Sequence, residues 1–133
     1  MSEKNVEVAR ELYGVFERRE IDVAFERLVD DAFELRLPAI YPVAETYRGR
    51  EGVQDWLELL DDTWSEWRFE PEEFVPCGEK VLVFCRISGR GRASGAEGHM
   101  HVAHVWRFHG SRAAGVQVFI DPDEARQAAG LRE

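Results

Sequence analysis

HMHVAHVWRFH, residues 99–109, contains all four histidines of the chain: His99, His101, His104 and His109. Read as a β-strand, it sends alternate side chains to opposite faces of a sheet. His99, His101 and His109 share the odd side with Ala103, Val105 and Arg107, whereas His104 shares the even side with Met100, Val102, Trp106 and Phe108. The even side is the apolar one and is expected to face the core, which makes His104 a lone imidazole among apolar neighbours. A β-bulge between 99 and 104 would reverse that phase.

Working outward, Trp67 to Asp121 reads as antiparallel strands at 67–76, 80–91, 99–109 and 114–121, broken at CGEK, RASGAEG and HGSR. Gly-containing breaks this short make hairpins, not helical crossovers. Upstream, Val6, Ala9, Leu12, Tyr13 and Phe16 recur at helical spacing over 3–19. Asp22 can cap a second, short helix carrying Val23, Phe25, Leu28 and Val29. FELRLP alternates as a strand until Pro38, and PAIYPVAETYRGRE (38–51) reads as a loop. A third helix over about 50–65 carries Val53, Trp56, Leu57, Leu60 and Trp64 on one stripe, and DPDEARQAAG closes the chain as a short helix. Helices first and strands afterwards mean α+β: one domain over 1–133, with three N-terminal helices packed on a strongly curved antiparallel sheet and a short C-terminal helix.

Composition narrows the function. The chain is 44% apolar with a net charge of −9. That balance excludes nucleic acid and anionic membranes as partners, because both need a basic face. MSEKNVEVAR has no apolar export segment and no apolar run is long enough to span a bilayer, so a cytoplasmic location is expected. Cys77 and Cys85 lack metal or redox spacing and are read as reduced thiols, with Cys85 buried in a strand. His99-x-His101 offers two metal ligands on the odd face, but no third ligand stands at a telling spacing. The odd-side histidines are therefore read as solvated or at an interface, with no metal and no cofactor.

Order and local motifs together resemble the SnoaL-like branch of the nuclear transport factor two-like superfamily. The likeness rests on YRGREGVQDW (47–56), AHVWRFHG (103–110) and FIDPDEARQAAGL (119–131). It implies a cone, a bent sheet wrapped on helices with an apolar pocket at its wide end, and dimers through the open sheet face. The superfamily spans cyclases, an isomerase, hydrolases, dehydratases and non-catalytic binders, so the likeness specifies fold more than function. It places His104 where the resembled steroid isomerase has its oxyanion-stabilising acid, and Asp121 where SnoaL-like cyclases have a general acid/base. The rest of the isomerase machinery does not transfer: Arg36 stands in the slot of its base, and Leu12 in that of its tyrosine, with Tyr13 one residue off.

For each candidate there is a plain structural alternative. His104 is either a hydrogen-bond donor to a carbonyl or a core histidine satisfied by a backbone or tyrosine partner. Asp121 is either a proton carrier or, in DPDE, the N-cap of the last helix, where backbone N–H groups would depress its pKa. Arg36 either binds an anionic group at the cone mouth or points to water. The expected site is a pocket of roughly 300–1,000 Å³ for a small apolar or aromatic ligand. Tyr13, Phe16, Trp56, Leu60, Trp106, Gln117 and Phe119 would line it, with His104 and Asp121 as the polar pair. The function this implies is cofactor-free proton transfer next to a carbonyl, as in a cyclase or isomerase acting on a polyketide-like substrate; the alternative is a non-catalytic ligand-binding or structural domain. Val116, Val118 and Ile120 form an apolar stripe read as facing away from the pocket, which predicts a homodimer through that face.

Overall fold

The apolar stripe of the first segment becomes α1 (Ser2–Glu17) in a computed structural model that describes residues 2–38 and 46–131. A short helix α2 (Ile21–Val23) runs directly into a π-helical turn, Ala24–Leu28, which delivers the chain into β1 (Val29–Arg36). The segment expected to be a loop instead holds a short strand, β2 (Thr46–Arg48), antiparallel to β1; its part at 39–45 lies outside the described residues. Gly49 turns the corner from β2 into α3 (Gly49–Thr63) with a φ of 68°, a left-handed conformation that favours glycine. Four long strands follow as meandering hairpins: β3 (Trp64–Cys77), β4 (Lys80–Gly91), β5 (Glu97–His109) and β6 (Arg112–Phe119). Helix α4 (Pro122–Ala128) ends the fold.

The strands form one sheet in the order β2-β1-β6-β5-β4-β3. The α+β class stands, but the sheet is not wholly antiparallel, because β1 pairs with β6 in parallel. Parallel neighbours need a long connection, and the chain from α3 through β5 supplies it. Between β4 and β5 the register runs without interruption from Lys80↔Arg107 to Arg90↔Glu97. No bulge therefore intervenes between 99 and 104 on this pairing, and His104 keeps the face of Val102 and Trp106.

Burial is two-sided. On the inner face α1, the π-turn and α3 close over the sheet through Leu12, Val15, Phe33, Val53 and Val83, all buried. On the outer face α4 sets Ala125 and Ala129 against Leu82, Ala103 and Val105, with Phe84 and Phe119 packed beside them. Lys80 Nζ donates to the carbonyl of Ala128 at 2.8 Å and fastens the end of α4. The centre of β5, Val102 through Trp106, is consequently buried on both sides.

Asp121 is the N-cap of α4: its Oδ1 accepts the backbone N–H of Asp123 at 2.8 Å, and Pro122 follows as first helical residue. Replacing it by alanine is expected to lower stability by about 1 kcal/mol. A shift of the urea midpoint at unchanged slope would report this; an unmoved midpoint would show that the cap does not hold α4 in place.

Candidate functional site

Three side chains from two elements meet inside the cone. The Tyr13 hydroxyl of α1 lies 2.6 Å from His104 Nδ1 of β5, and Trp106 Nε1 lies 3.0 Å from the same hydroxyl. His104 is 4% and Tyr13 8% exposed. An indole N–H can only donate, so the Tyr13 oxygen accepts from Trp106. The phenolic proton then has one acceptor, His104 Nδ1, which must be unprotonated. The imidazole proton therefore sits on Nε2, so the hydrogen-bond chain selects the tautomer. Tyr13 and Phe69 both lie near-parallel to the imidazole, at centroid distances of 5.7 and 6.0 Å.

Burial keeps these groups neutral. Desolvation lowers the His104 pKa to about 4 and raises that of Tyr13 well above its usual value. At neutral pH His104 is thus an uncharged donor. Nε2 has no hydrogen-bond partner among the described residues. The His104 ring itself is part of the wall of a cavity.

That cavity measures about 50 Å³. It is smaller than the pocket expected from sequence because aromatic rings fill the cone: Phe33, Trp56, Trp67, Phe69 and Trp106 all stand in its wall. Tyr13 and Phe16 also border it, so of the predicted lining residues Tyr13, Phe16, Trp56 and Trp106 surround His104. Leu60 borders a neighbouring hollow instead.

The remaining predicted residues lie elsewhere. β6 has the opposite phase to the one expected: His104 pairs with Val118, so Val116 and Val118 line the cavity while Gln117 and Phe119 face outward. The Val116–Val118 stripe is inner core, and only Ile120 is exposed, which removes the basis given for an assembly face. Phe119 packs on the α4 side of the sheet. Gln117 joins Arg36, its cross-strand partner, in a polar hollow of about 210 Å³ on the outer face. Arg36 is solvent-exposed there, 3.7 Å from Glu34, and does not guard the cavity mouth. Asp121 is exposed beyond the end of β6 and occupied by capping, so it forms no pair with His104.

Sequence reasoning missed Glu17, Trp67 and Phe69. Glu17 follows Tyr13 by four residues and so shares its helical face, a spacing that marks it as a wall residue. It is the one carboxylate in the cavity wall among the described residues, and its side chain, 39% exposed, stands 3.9 Å from Arg68. Trp67 and Phe69 share strand parity and face the same side as Ile87 and Gly89 across β3–β4. Of the other histidines, His101 lies 3.5 Å from Glu72 and His109 3.6 Å from Asp30. No group of three potential metal ligands gathers among the described residues.

The likeness of this chain to known proteins lies in its fold. The SnoaL-like domain profile matches residues 9–116. An NTF2-like protein of unknown function from Burkholderia pseudomallei is 26% identical, with a TM-score of 0.77 over 96% of this chain and 97% of that one. A putative SnoaL-like polyketide cyclase from Jannaschia is 15% identical, with a TM-score of 0.77 over 100% of this chain and 96% of that one. TerC, co-crystallised with polyporic acid, is 20% identical, with a TM-score of 0.76 over 96% of this chain and 98% of that one. No curated protein sequence matches the chain.

A buried neutral histidine couples stability to acid. The unfolded chain protonates His104 near pH 6.5, and the folded chain only at about 4. Between those values the unfolded state holds the extra proton, so stability falls as pH drops from 6.5 towards 4, by up to about 3 kcal/mol from this group. His104→Phe should remove that contribution. The stability difference between wild type and variant, from urea unfolding at each pH, would then change across this interval; a constant difference would refute the buried neutral imidazole.

Proposed function

The chain belongs to the SnoaL-like domain family, and from that premise we propose that it binds a small carbonyl compound in the cone and moves a proton at the carbon next to the carbonyl. The observation that carries this reading is His104 in the wall of a nearly apolar cavity, with its Nδ1 taken by Tyr13 and no partner for Nε2–H among the described residues. A carbonyl oxygen seated there accepts that hydrogen bond. As a proton leaves the adjacent carbon, negative charge grows on the oxygen, and a donor in a dry site is worth far more than in water. A histidine with a pKa near 4 stays neutral at pH 7 and offers this bond without adding a charge.

Asp121 does not enter this scheme. Glu17 takes its place as proton acceptor, being the carboxylate in the cavity wall. The electron pair of the broken C–H bond passes into an enolate, and Glu17 returns the proton to the same or a conjugated carbon. Return to the conjugated carbon is isomerisation, and return to the same carbon is exchange only; attack of the enolate on a second carbonyl of the same molecule, whose oxygen then takes the proton from Glu17, is cyclisation. Both move protons and electron pairs only, so no cofactor is required. A second reading, ligand binding without turnover, is favoured by the Glu17 environment, since its carboxylate is partly exposed and faces Arg68.

Deuterium exchange separates the two readings. Wild-type protein in D2O is expected to speed loss of the methyl proton signal of acetophenone. His104→Phe should reduce that acceleration by about 10²–10³-fold, the usual worth of an oxyanion donor, and Glu17→Gln should abolish it. Binding of the ketone, seen as a shift of the His104 imidazole signals, without any exchange would establish the binding-only reading.

A further inference from the structure

The space at His104 holds a carbonyl and its nearest carbons and little more, about 50 Å³. Beside it lies a second, open hollow of about 290 Å³. Trp67 and Phe69 border both spaces, and Leu60, Trp64, Ile87 and Met100 complete the apolar wall of the second. Trp64 and Met100, at 36% and 38% exposure, are two of the three exposed large apolar side chains among the described residues. Such a cluster on a surface ordinarily marks a binding site.

The floor of the hollow is two glycines. Gly89 and Gly98 face each other across β4 and β5, in phase with Ile87 and Met100. At Gly89 a Cβ would come within 2.8 Å of the Glu66 carbonyl, so backbone packing explains that residue. At Gly98 a Cβ would meet nothing within 4 Å, and its φ is not left-handed. Neither packing nor conformation demands glycine at 98; its effect is to leave the hollow empty. Between hollow and cavity, Trp67 is held by Asp61, which accepts its Nε1–H at 2.7 Å, and by Arg19, whose guanidinium lies 4.5 Å from the ring centroid.

We infer that this hollow is a second subsite, taking the apolar or aryl tail of a ligand whose carbonyl group stands at His104, with Trp67 as the divider between head and tail. The inference rests on the carbonyl-binding reading above and adds the shape of the ligand to it. Continuity through two shared rings, the small volume at His104 and the open space over Gly98 support a tail of the same molecule as occupant.

The test compares a short ketone, 2-butanone, with a long one, 2-acetylnaphthalene, both followed through the His104 imidazole signals. Gly98→Leu fills the hollow without touching the inner cavity and is expected to weaken 2-acetylnaphthalene by about tenfold or more while leaving 2-butanone unchanged. Met100→Glu, at an exposed position, should act in the same direction and decides the matter if Gly98→Leu does not fold. Unaltered affinity for the long ketone in the folded variants overturns the second subsite and leaves the His104 reading intact. Failure of wild type to bind either ketone overturns both. A wild-type dimer in sedimentation that Met100→Glu splits would assign the hollow to a second copy of the chain and overturn the inference.

Discussion

The hydrogen bond from Tyr13 to His104 ties the first helix to the third long strand, 91 residues away in sequence. Neither group can be left alone where it is: a buried polar group without a partner costs about 1–3 kcal/mol. Trp106 completes the set by donating to the same hydroxyl. Because the indole cannot accept and the phenol has one proton, each bond forces the direction of the next. Closing the cone and choosing the imidazole tautomer are therefore one event. Any displacement of α1 along the sheet would break both bonds and leave three buried polar groups uncompensated, which pins the helix and, with it, Phe16 and Glu17 at the cavity.

The order of elements was legible because it rests on periodicity: α1, α3 and the four long strands appear where helical and alternating patterns place them. His104 was legible for the same reason, since an uninterrupted β4–β5 register preserves strict alternation. β6 was not. Its two faces carry Val116 and Val118 on one side and Phe119 on the other, and both are covered, one by the cone and one by α4. Where a strand is buried twice, alternation loses its meaning as an inside–outside signal. Choosing Phe119 as the pocket side then carried Gln117 and Asp121 with it. β2 escaped because three residues between prolines and a glycine hold too little pattern to read.

The same two-sided burial sets where function can be placed. α4 covers the outer face around Ala103 and Val105, and its cap holds Asp121 outside the cone. The DPDE motif thus serves the architecture directly and the cavity only by keeping the sheet covered. Arg36 and Gln117, paired across β1 and β6, also belong to the outer face. Among the described residues, the inside is lined from α1, β1, α3, β3, the even side of β5 and the valines of β6, and what they contribute is chiefly aromatic and aliphatic side chains, one imidazole and one carboxylate.

Every titratable group that burial reaches in this interior is driven to its uncharged form. Desolvation raises the Tyr13 phenol, pushes the Cys85 thiol up to about 12 and brings the His104 imidazole down to about 4. Among the described residues the interior of the cone therefore holds oriented dipoles and no buried charge. A ligand gains nothing by being ionic there, because an unpaired ion would lose its hydration for one hydrogen bond. A neutral carbonyl is different: it enters at little desolvation cost and meets a donor whose value grows as charge develops on oxygen. Among the described residues, charge stands at the edge, where Glu17 faces Arg68 and Asp61 faces Arg19. A proton that leaves the ligand must travel to that edge, and the division of labour follows from the dielectric: stabilisation by a neutral dipole inside, proton exchange by a carboxylate where water begins.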